Sequence, residues 1–343
     1  MRAFYSDIFQ EPNWMNSSQA KGWGEIVDFG AAKGYINHSK LFGRYLYIQH
    51  APLFSEEEIK IDHSLPAAKS WGEINFSQEG KKMCLDVLEN IEQFCRKEGI
   101  FAVVIEPLAT ANSDLHELLL EKGYLQQEWS ILPRYPMYID LEKSEEELSL
   151  GLEKKTRYNI RYAQKKGVDI KFFYPEEGKD IEKVFTNFYE ILASNASNKG
   201  YDLPNKKFFL DALKLYKNTN SVCIATAEYQ GKIVSANYSQ FSADWAGSYY
   251  TANSRAPEVN KLKASYLLKW ETILEAKRQG RKVFDMWGVK RPNLPKDHPE
   301  YGYGRFKLGF NPIQKTFSGR LVKPLQPIRT KVWLAVGELR RKL

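Results

Sequence analysis

The sequence predicts a mixed α/β (α+β) fold in two domains, and three observations point to it. At 343 residues the chain is longer than one hydrophobic core usually fills. Helix-period and strand-like segments alternate along the first part of the chain, and the same grammar then repeats without sequence identity. Hydrophobic residues make up 43%, enough for full cores.

Each element has a local reason. "RYLYIQHAP" (Arg44 to Pro52) reads as a strand. "GKKMCLDVLENIEQFCRKEG" carries Met83, Val87, Leu88, Ile91 and Phe94 at helical spacing, with Cys84 and Cys95 beside them. "IFAVVIEP" is a buried strand stopped by Pro107. "SDLHELLLEKGY" is a short helix with Ser113 as N-cap and Gly123 at its end. "PMYIDL" (Pro136 to Leu141) returns as a strand and closes the first domain.

In the second half, "KKTRYNIRYAQKKG" is helical and "VDIKFF" a strand. "DIEKVFTNFYEILASNASNKG" and "NKKFFLDALKLYKN" follow as helices. "SVCIATAEYQGKIVSANYSQFSADWAGSYYTA" reads as three antiparallel strands turning at "YQGK" and "SADW". "KLKASYLLKWETILEAKRQG" is a long helix closed by Gly280, and "KVFDMWGV" the strand after it. Helices, a strand meander, then helix and strand is the order of a GNAT-type acyltransferase domain. Two GNAT-like domains side by side are expected, at residues 1–145 and 146–317. The tail 318–343 packs back on the first. Its helix "PIRTKVWLAVGELRRKL" has an apolar stripe of Val332, Val336, Leu339 and Leu343. That stripe is expected against the first domain, with a membrane surface as the alternative.

Charge narrows the partner. The formal net charge is +8, which favours a polyanion: nucleic acid, a nucleotide-linked substrate or an anionic membrane face. A solvated basic surface is the plain alternative. The N-terminus has no signal-peptide pattern and no apolar run is long enough to span a bilayer. Three cysteines without a C-x-x-C pair fit a reducing cytosol, so a cytoplasmic chain is expected, at most peripheral to the membrane. It looks self-contained as a monomer.

Several chemistries are missing. The chain has no G-x-S-x-G elbow, no H-E-x-x-H and no Walker A loop. Lys307 stands where a dinucleotide fingerprint needs its third glycine. None of the five histidines is assigned a metal, and no cofactor is expected.

Three features carry chemistry. On "KKTRYNIRYAQKKG", Lys154, Arg157, Arg161 and Lys165 share one helical face with no acidic residue among them. A solvated face usually interleaves glutamates, so a phosphate-rich partner competes evenly with the solvated reading. The second is "SRAPEVNKLKASY", where a GNAT domain places its pyrophosphate loop. It holds no glycine, and side chains would hinder the backbone approach that acyl-CoA needs. The third is "GYGRFKLGFNP". Gly302, Gly304 and Gly309 are expected to bend the chain around Arg305, Phe306 and Lys307, aiming the Phe306 N–H and the Lys307 ammonium at developing negative charge. A glycine-rich hairpin with an exposed lysine fits the same residues.

"LPRYPMYIDL", "KKTRYNIRYAQKKGVDI", "FDMWGV", "GRFKLGF" and "FSGRLV", in that order, resemble the FemA/FemB/FemX peptidyltransferases, which attach amino acids to peptidoglycan precursors. The resemblance covers nearly the whole chain and points to the short type without a coiled-coil insertion. It implies an aminoacyl-tRNA donor and, as acceptor, the stem-peptide amine of UDP-MurNAc-pentapeptide or lipid II. It implies catalytic roles for Phe306 and Lys307 and substrate contact for Tyr250, with Arg305 beside them. The family's two diphosphate-holding cations find no direct match. One falls near Pro204, with Lys199, Lys206 and Lys207 nearby. The other falls near Glu25, with Lys21 nearby, and Arg44 and Arg134 stand as spare candidates. Asp285 is the nearest general base, against a structural role bonding backbone N–H groups. The basic helix would track tRNA phosphates. Rival readings are an N-acyltransferase using acyl-CoA or an acyl carrier, an aminoacyl-tRNA–protein transferase, and an inactive cell-wall scaffold.

Overall fold

A computed structural model describes residues 10, 15, 23–55, 57–60, 64–176, 181–199, 203–242, 244–254, 256–289, 291, 294–298 and 301–342, without the side chains of 198–199 and 341–342. The chain divides into two compact units. One comprises 1–65, 70–135 and 315–343, the other 66–69 and 136–314.

The first unit holds a six-stranded sheet in the order β1-β2-β3-β4-β13-β5. These strands are β1 (Glu25–Asp28), β2 (Lys33–Ser39), β3 (Gly43–Gln49), β4 (Ala102–Glu106), β5 (Leu125–Gln126) and β13 (Leu321–Pro324). β3 and β4 run parallel, joined by the helix Gln78–Lys97. That helix starts where the Ser77 hydroxyl accepts the Gly80 N–H, and it buries Cys84, Val87, Leu88, Ile91 and Cys95. Ser113 caps the next helix, Asp114–Glu121, and Gly123 leaves it with φ +78°. Tyr35, Tyr47, Phe101, Val104 and Val322 form one core cluster on this sheet.

The second unit holds a seven-stranded sheet, β12-β6-β11-β10-β9-β8-β7. Its members are β6 (Met137–Asp140), β7 (Asp169–Phe173), β8 (Val222–Tyr229), β9 (Lys232–Phe241), β10 (Trp245–Asn253), β11 (Val283–Asp285) and β12 (Ile313–Gln314). β7 to β10 form an antiparallel meander. At the β8–β9 hairpin Gln230 and Gly231 both take positive φ, the two-residue turn that matches strand twist. The helix Ala264–Arg278 then crosses over, and β11 pairs parallel to β10. Helices Ile181–Lys199 and Lys206–Leu215 put Phe185, Phe188, Leu192, Phe208 and Phe209 into the core beside Ile224 and Tyr238.

One boundary differs from the sequence reading. The strand Met137–Asp140, expected to close the first domain, pairs instead with β11 and β12 in the second sheet. The matching slot in the first sheet is taken by β13, from the far end of the chain. Each sheet therefore repeats one order, β3-β4-β13-β5 and β10-β11-β6-β12, and in each the third strand is not the next one in sequence. Local pattern identifies a strand but not the sheet it completes.

The three cysteines are buried and unpaired, and burial pushes the Cys84 and Cys95 thiols up to about 12.

Candidate active site

The candidate site of the second unit lies where β10 and β11 part. They pair at Trp245↔Val283, Ala246↔Phe284 and Gly247↔Asp285, after which β11 ends and β10 runs on to Asn253. A bulge at Tyr249, between Ser248 and Tyr250, marks the same point on the β9 side. The ring of Tyr249 meets Trp287 edge-on at 4.8 Å.

Asp285 is buried at the end of β11, and its Oδ1 accepts the Trp287 N–H at 2.7 Å. This bond supports Trp287 in a left-handed conformation, φ +59°, rare for a residue with a bulky side chain. The carbonyls of Trp287 and Gly288 are thereby presented to Lys307, whose Nζ donates to them at 3.1 and 2.8 Å. Lys307 is only 2% exposed, and its Nζ lies 3.9 Å from the ring centroid of Tyr303. A lysine so held is a fixed N–H donor in buried, low-dielectric surroundings.

"GYGRFKLGFNP" is not a glycine-framed loop. Tyr301–Leu308 is a helix, and neither Gly302 nor Gly304 takes a positive φ. Phe306 is its sixth residue, past the first four whose N–H groups lack an intrahelical acceptor. Its N–H therefore belongs to the helical ladder, and the expectation that it points at a ligand is corrected. The Phe306 ring packs edge-on against Tyr266 (4.9 Å) and Phe310 (5.3 Å). Gly309 is required for a different reason. A Cβ there would lie 2.2 Å from the Thr156 Oγ1, so glycine lets the end of this helix approach the basic helix Lys154–Lys165. Arg305 pairs with Glu153 at 2.8 Å, immediately before that basic helix.

The basic helix packs Thr156, Asn159, Ile160 and Ala163 inward and exposes Lys154, Arg161 and Lys165. Arg157 departs from the expected set. Its Nη2 donates to the carbonyls of Leu150 and Leu152, both at 3.0 Å, and so closes the end of the preceding helix, Glu145–Gly151. Tyr158 replaces it outwardly, 63% exposed and stacked on Tyr162 with centroids 5.9 Å apart.

Tyr250 is half-buried, edge-on to Phe209 at 4.9 Å. Phe209 belongs to the helix that begins at Lys206. The side chain of Lys199 lies outside the described residues, as does Lys21. Arg44 and Arg134 belong to the first unit. Arg44 is spent on Glu98, bonding its carbonyl and lying 3.5 Å from its carboxylate. Arg134 runs beside Gly319, and its buried Nε has no hydrogen-bond partner among the described residues.

Sequence reasoning passed over Lys269, Trp287 and Tyr303. Lys269 is buried in the long helix, and burial pushes its ammonium down to about 8 against the pull of Asp285. The signal was legible: Glu271, Glu275 and Arg278 mark the solvent side of this helix, and Lys269 falls on the opposite side, between the buried Leu268 and Trp270. Ahead of that helix, Pro257–Lys261 forms a short helix and Lys263 takes φ +58°. No glycine cradle forms there.

Comparison with known proteins places this geometry. The FemAB family profile matches residues 112–245 and 243–336. The crystal structure of FemX superposes with a TM-score of 0.77 at 14% identity, covering 96% of this chain and 95% of that one. L-PGS from Bacillus licheniformis gives 0.55 at 12% identity, over 92% of each chain. A conserved protein of unknown function from Bacteroides thetaiotaomicron gives 0.57 at 10%, over 95% and 94%. No curated protein matches the sequence. The two units are GNAT-like in fold, and the chain belongs to the FemAB family, and with it to the transferases of peptidoglycan synthesis.

Proposed function

We propose that the second unit moves an amino acid from aminoacyl-tRNA to the stem-peptide amine of a peptidoglycan precursor, UDP-MurNAc-pentapeptide or lipid II. The observation that carries this reading is the buried Lys307 ammonium, fixed by two backbone carbonyls where β10 and β11 part.

The donor is an ester and already activated. The acceptor amine attacks its carbonyl carbon, a C–N bond forms, and the carbonyl oxygen takes the negative charge. Lys307 stabilises that oxyanion; one well-aimed donor contributes about 3 to 4 kcal/mol. Collapse breaks the C–O bond, and the proton shed by the amine balances the one gained by the departing ribose oxygen. A free lysine-type amine has a pKa of about 10.4, so desolvation in the cleft aids its deprotonation. Asp285 serves here as a positioning residue. Its carboxylate holds Trp287, and Trp287 holds Lys307.

Two features support tRNA as the donor. Lys154, Arg161 and Lys165 beside the stacked Tyr158 and Tyr162 form a cationic, aromatic face of the kind that tracks RNA backbone and stacks bases. The glycine-free approach to the long helix disfavours acyl-CoA.

The test is a transfer assay read by mass, with mixed charged tRNAs and both acceptors in parallel. A gain of amino-acid mass is expected with wild type and a loss of about 100- to 1,000-fold in rate with Lys307→Ala. Unchanged transfer by folded Lys307→Ala would remove the central assignment. Tight coenzyme A binding by calorimetry, without transfer from tRNA, would replace the donor.

A further inference from the structure

The C-terminal helix Pro327–Lys342 is apolar on two opposite faces. Its inner face is docked within the first unit. Thr330 is buried and donates to the Phe101 carbonyl at 3.1 Å. Trp333 packs on Tyr45 and Phe101 at 5.0 and 5.3 Å, and Leu334 joins the same cluster. The outer face is not covered by any described residue. Ile328, Val332, Ala335 and Leu339 recur at i, i+4, i+7 and i+11, one continuous stripe. Ile328 is 84% exposed, Val332 47% and Leu339 61%. The stripe expected against the first domain is corrected: Val332 and Leu339 are exposed, Val336 is half-buried, Leu343 lies outside the described residues, and Trp333 and Leu334 dock instead.

Cations rim the stripe. Arg329 and Arg340 stand on one side and Lys331 on the other, all exposed, and none forms an ion pair among the described residues. Glu338 is the one exposed carboxylate on the helix, on the Lys331 side. Past Ala335 lies a groove of about 770 Å³ beside edge strand β5, where Leu125, Trp129, Pro324 and Leu334 alternate with polar lining that includes Glu128, Lys331 and Glu338. Leu125 and Trp129 are themselves exposed.

We infer that this face is a membrane-surface contact, with the stripe inserted at the acyl boundary of an anionic lipid leaflet and Arg329, Lys331 and Arg340 reaching headgroup phosphates. An apolar stripe between cations on a helix held parallel to a surface is how in-plane helices bind lipid. Charge decides against a second copy of the chain, because pairing the face with itself would bring its cations together. Among the described residues no helix is long and apolar enough to cross a membrane, so the contact is peripheral. The inference concerns the first unit and stands apart from the transfer chemistry.

Co-sedimentation of the full chain with vesicles tests it, using phosphatidylcholine alone or mixed with phosphatidylglycerol. Binding to the mixed vesicles is expected to be about tenfold stronger or more, and to weaken as salt rises. Val332→Asp with Leu339→Asp should reduce it about tenfold. Arg329→Glu with Arg340→Glu, which leaves every apolar group in place, should reduce it similarly and weaken the salt dependence. Circular dichroism verifies that each variant is folded. Absence of binding to either vesicle, or undiminished binding by both folded variants, overturns the inference. So does a concentration-dependent dimer that the aspartate pair dissolves, which would assign the face to a second copy.

Discussion

Replacing Lys269 by methionine should stabilise the protein. Lys269 is buried and its ammonium is pushed from the ordinary 10.5 down to about 8. At about 1.36 kcal/mol per pK unit, keeping it charged in the folded state costs about 3 kcal/mol. That figure already includes the attraction of Asp285, because desolvation is the larger cause and Asp285 the opposing one. Methionine has nearly the same length and no charge to desolvate. The sign with pH follows from linkage. Below pH 8 the lysine is charged in both states and the cost is fully present. Between about 8 and 10.5 only the unfolded chain holds the proton, so wild-type stability rises with pH and the cost disappears. Lys269→Met should therefore gain up to about 3 kcal/mol at pH 7, and this advantage should vanish by about pH 10.5. Urea unfolding of both proteins at several pH values measures it. A variant less stable than wild type at pH 7, or a difference that ignores pH, would refute the reasoning and make Lys269 an obligatory partner of Asp285.

Two further outcomes follow from the same geometry. Gly309→Ala should cost about 1 to 3 kcal/mol, because its Cβ would sit 2.2 Å from the Thr156 Oγ1, and adding Thr156→Ala should recover much of the loss in a double-mutant cycle. Arg157 and Arg161 should behave differently despite their shared helix. Arg157→Ala should lower stability by about 0.5 to 1.5 kcal/mol, since it removes the bonds to the carbonyls of Leu150 and Leu152. Arg161→Ala should leave the melting curve alone, weaken tRNA binding and reduce its salt slope by about one. A swap of these two phenotypes would show that Arg157 leaves its carbonyls to meet phosphate.

Much of this was readable locally. Ser113 and Gly123 mark a helix because a hydroxyl can cap its N–H groups and only glycine easily takes φ +78°. "YQGK" marks a hairpin for the same kind of reason, and the meander and crossover helix set the fold class. The Lys307 assignment came from resemblance and residue type, and its surroundings did not. "GYGRFKLG" reads as a loop because two of its glycines lower helix propensity, yet the helix forms where Phe306 and Lys307 find burial. Arg157 shares a helical period with Arg161, but period cannot tell which turn faces the carbonyls of the preceding helix.

Sequence alone determined the elements, their caps and the excess of positive charge, because each depends on residues within a few positions of one another. Tertiary structure decided what depends on distant neighbours. It sent Met137–Asp140 into the second sheet and Leu321–Pro324 into the first. It joined Asp285, Trp287 and Lys307 into one positioning chain across some twenty residues. It also turned Val332 and Leu339 outward, because Trp333 and Leu334 had already taken the core. A helix of fixed period has one choice of which face to bury, and only the surface it meets makes that choice.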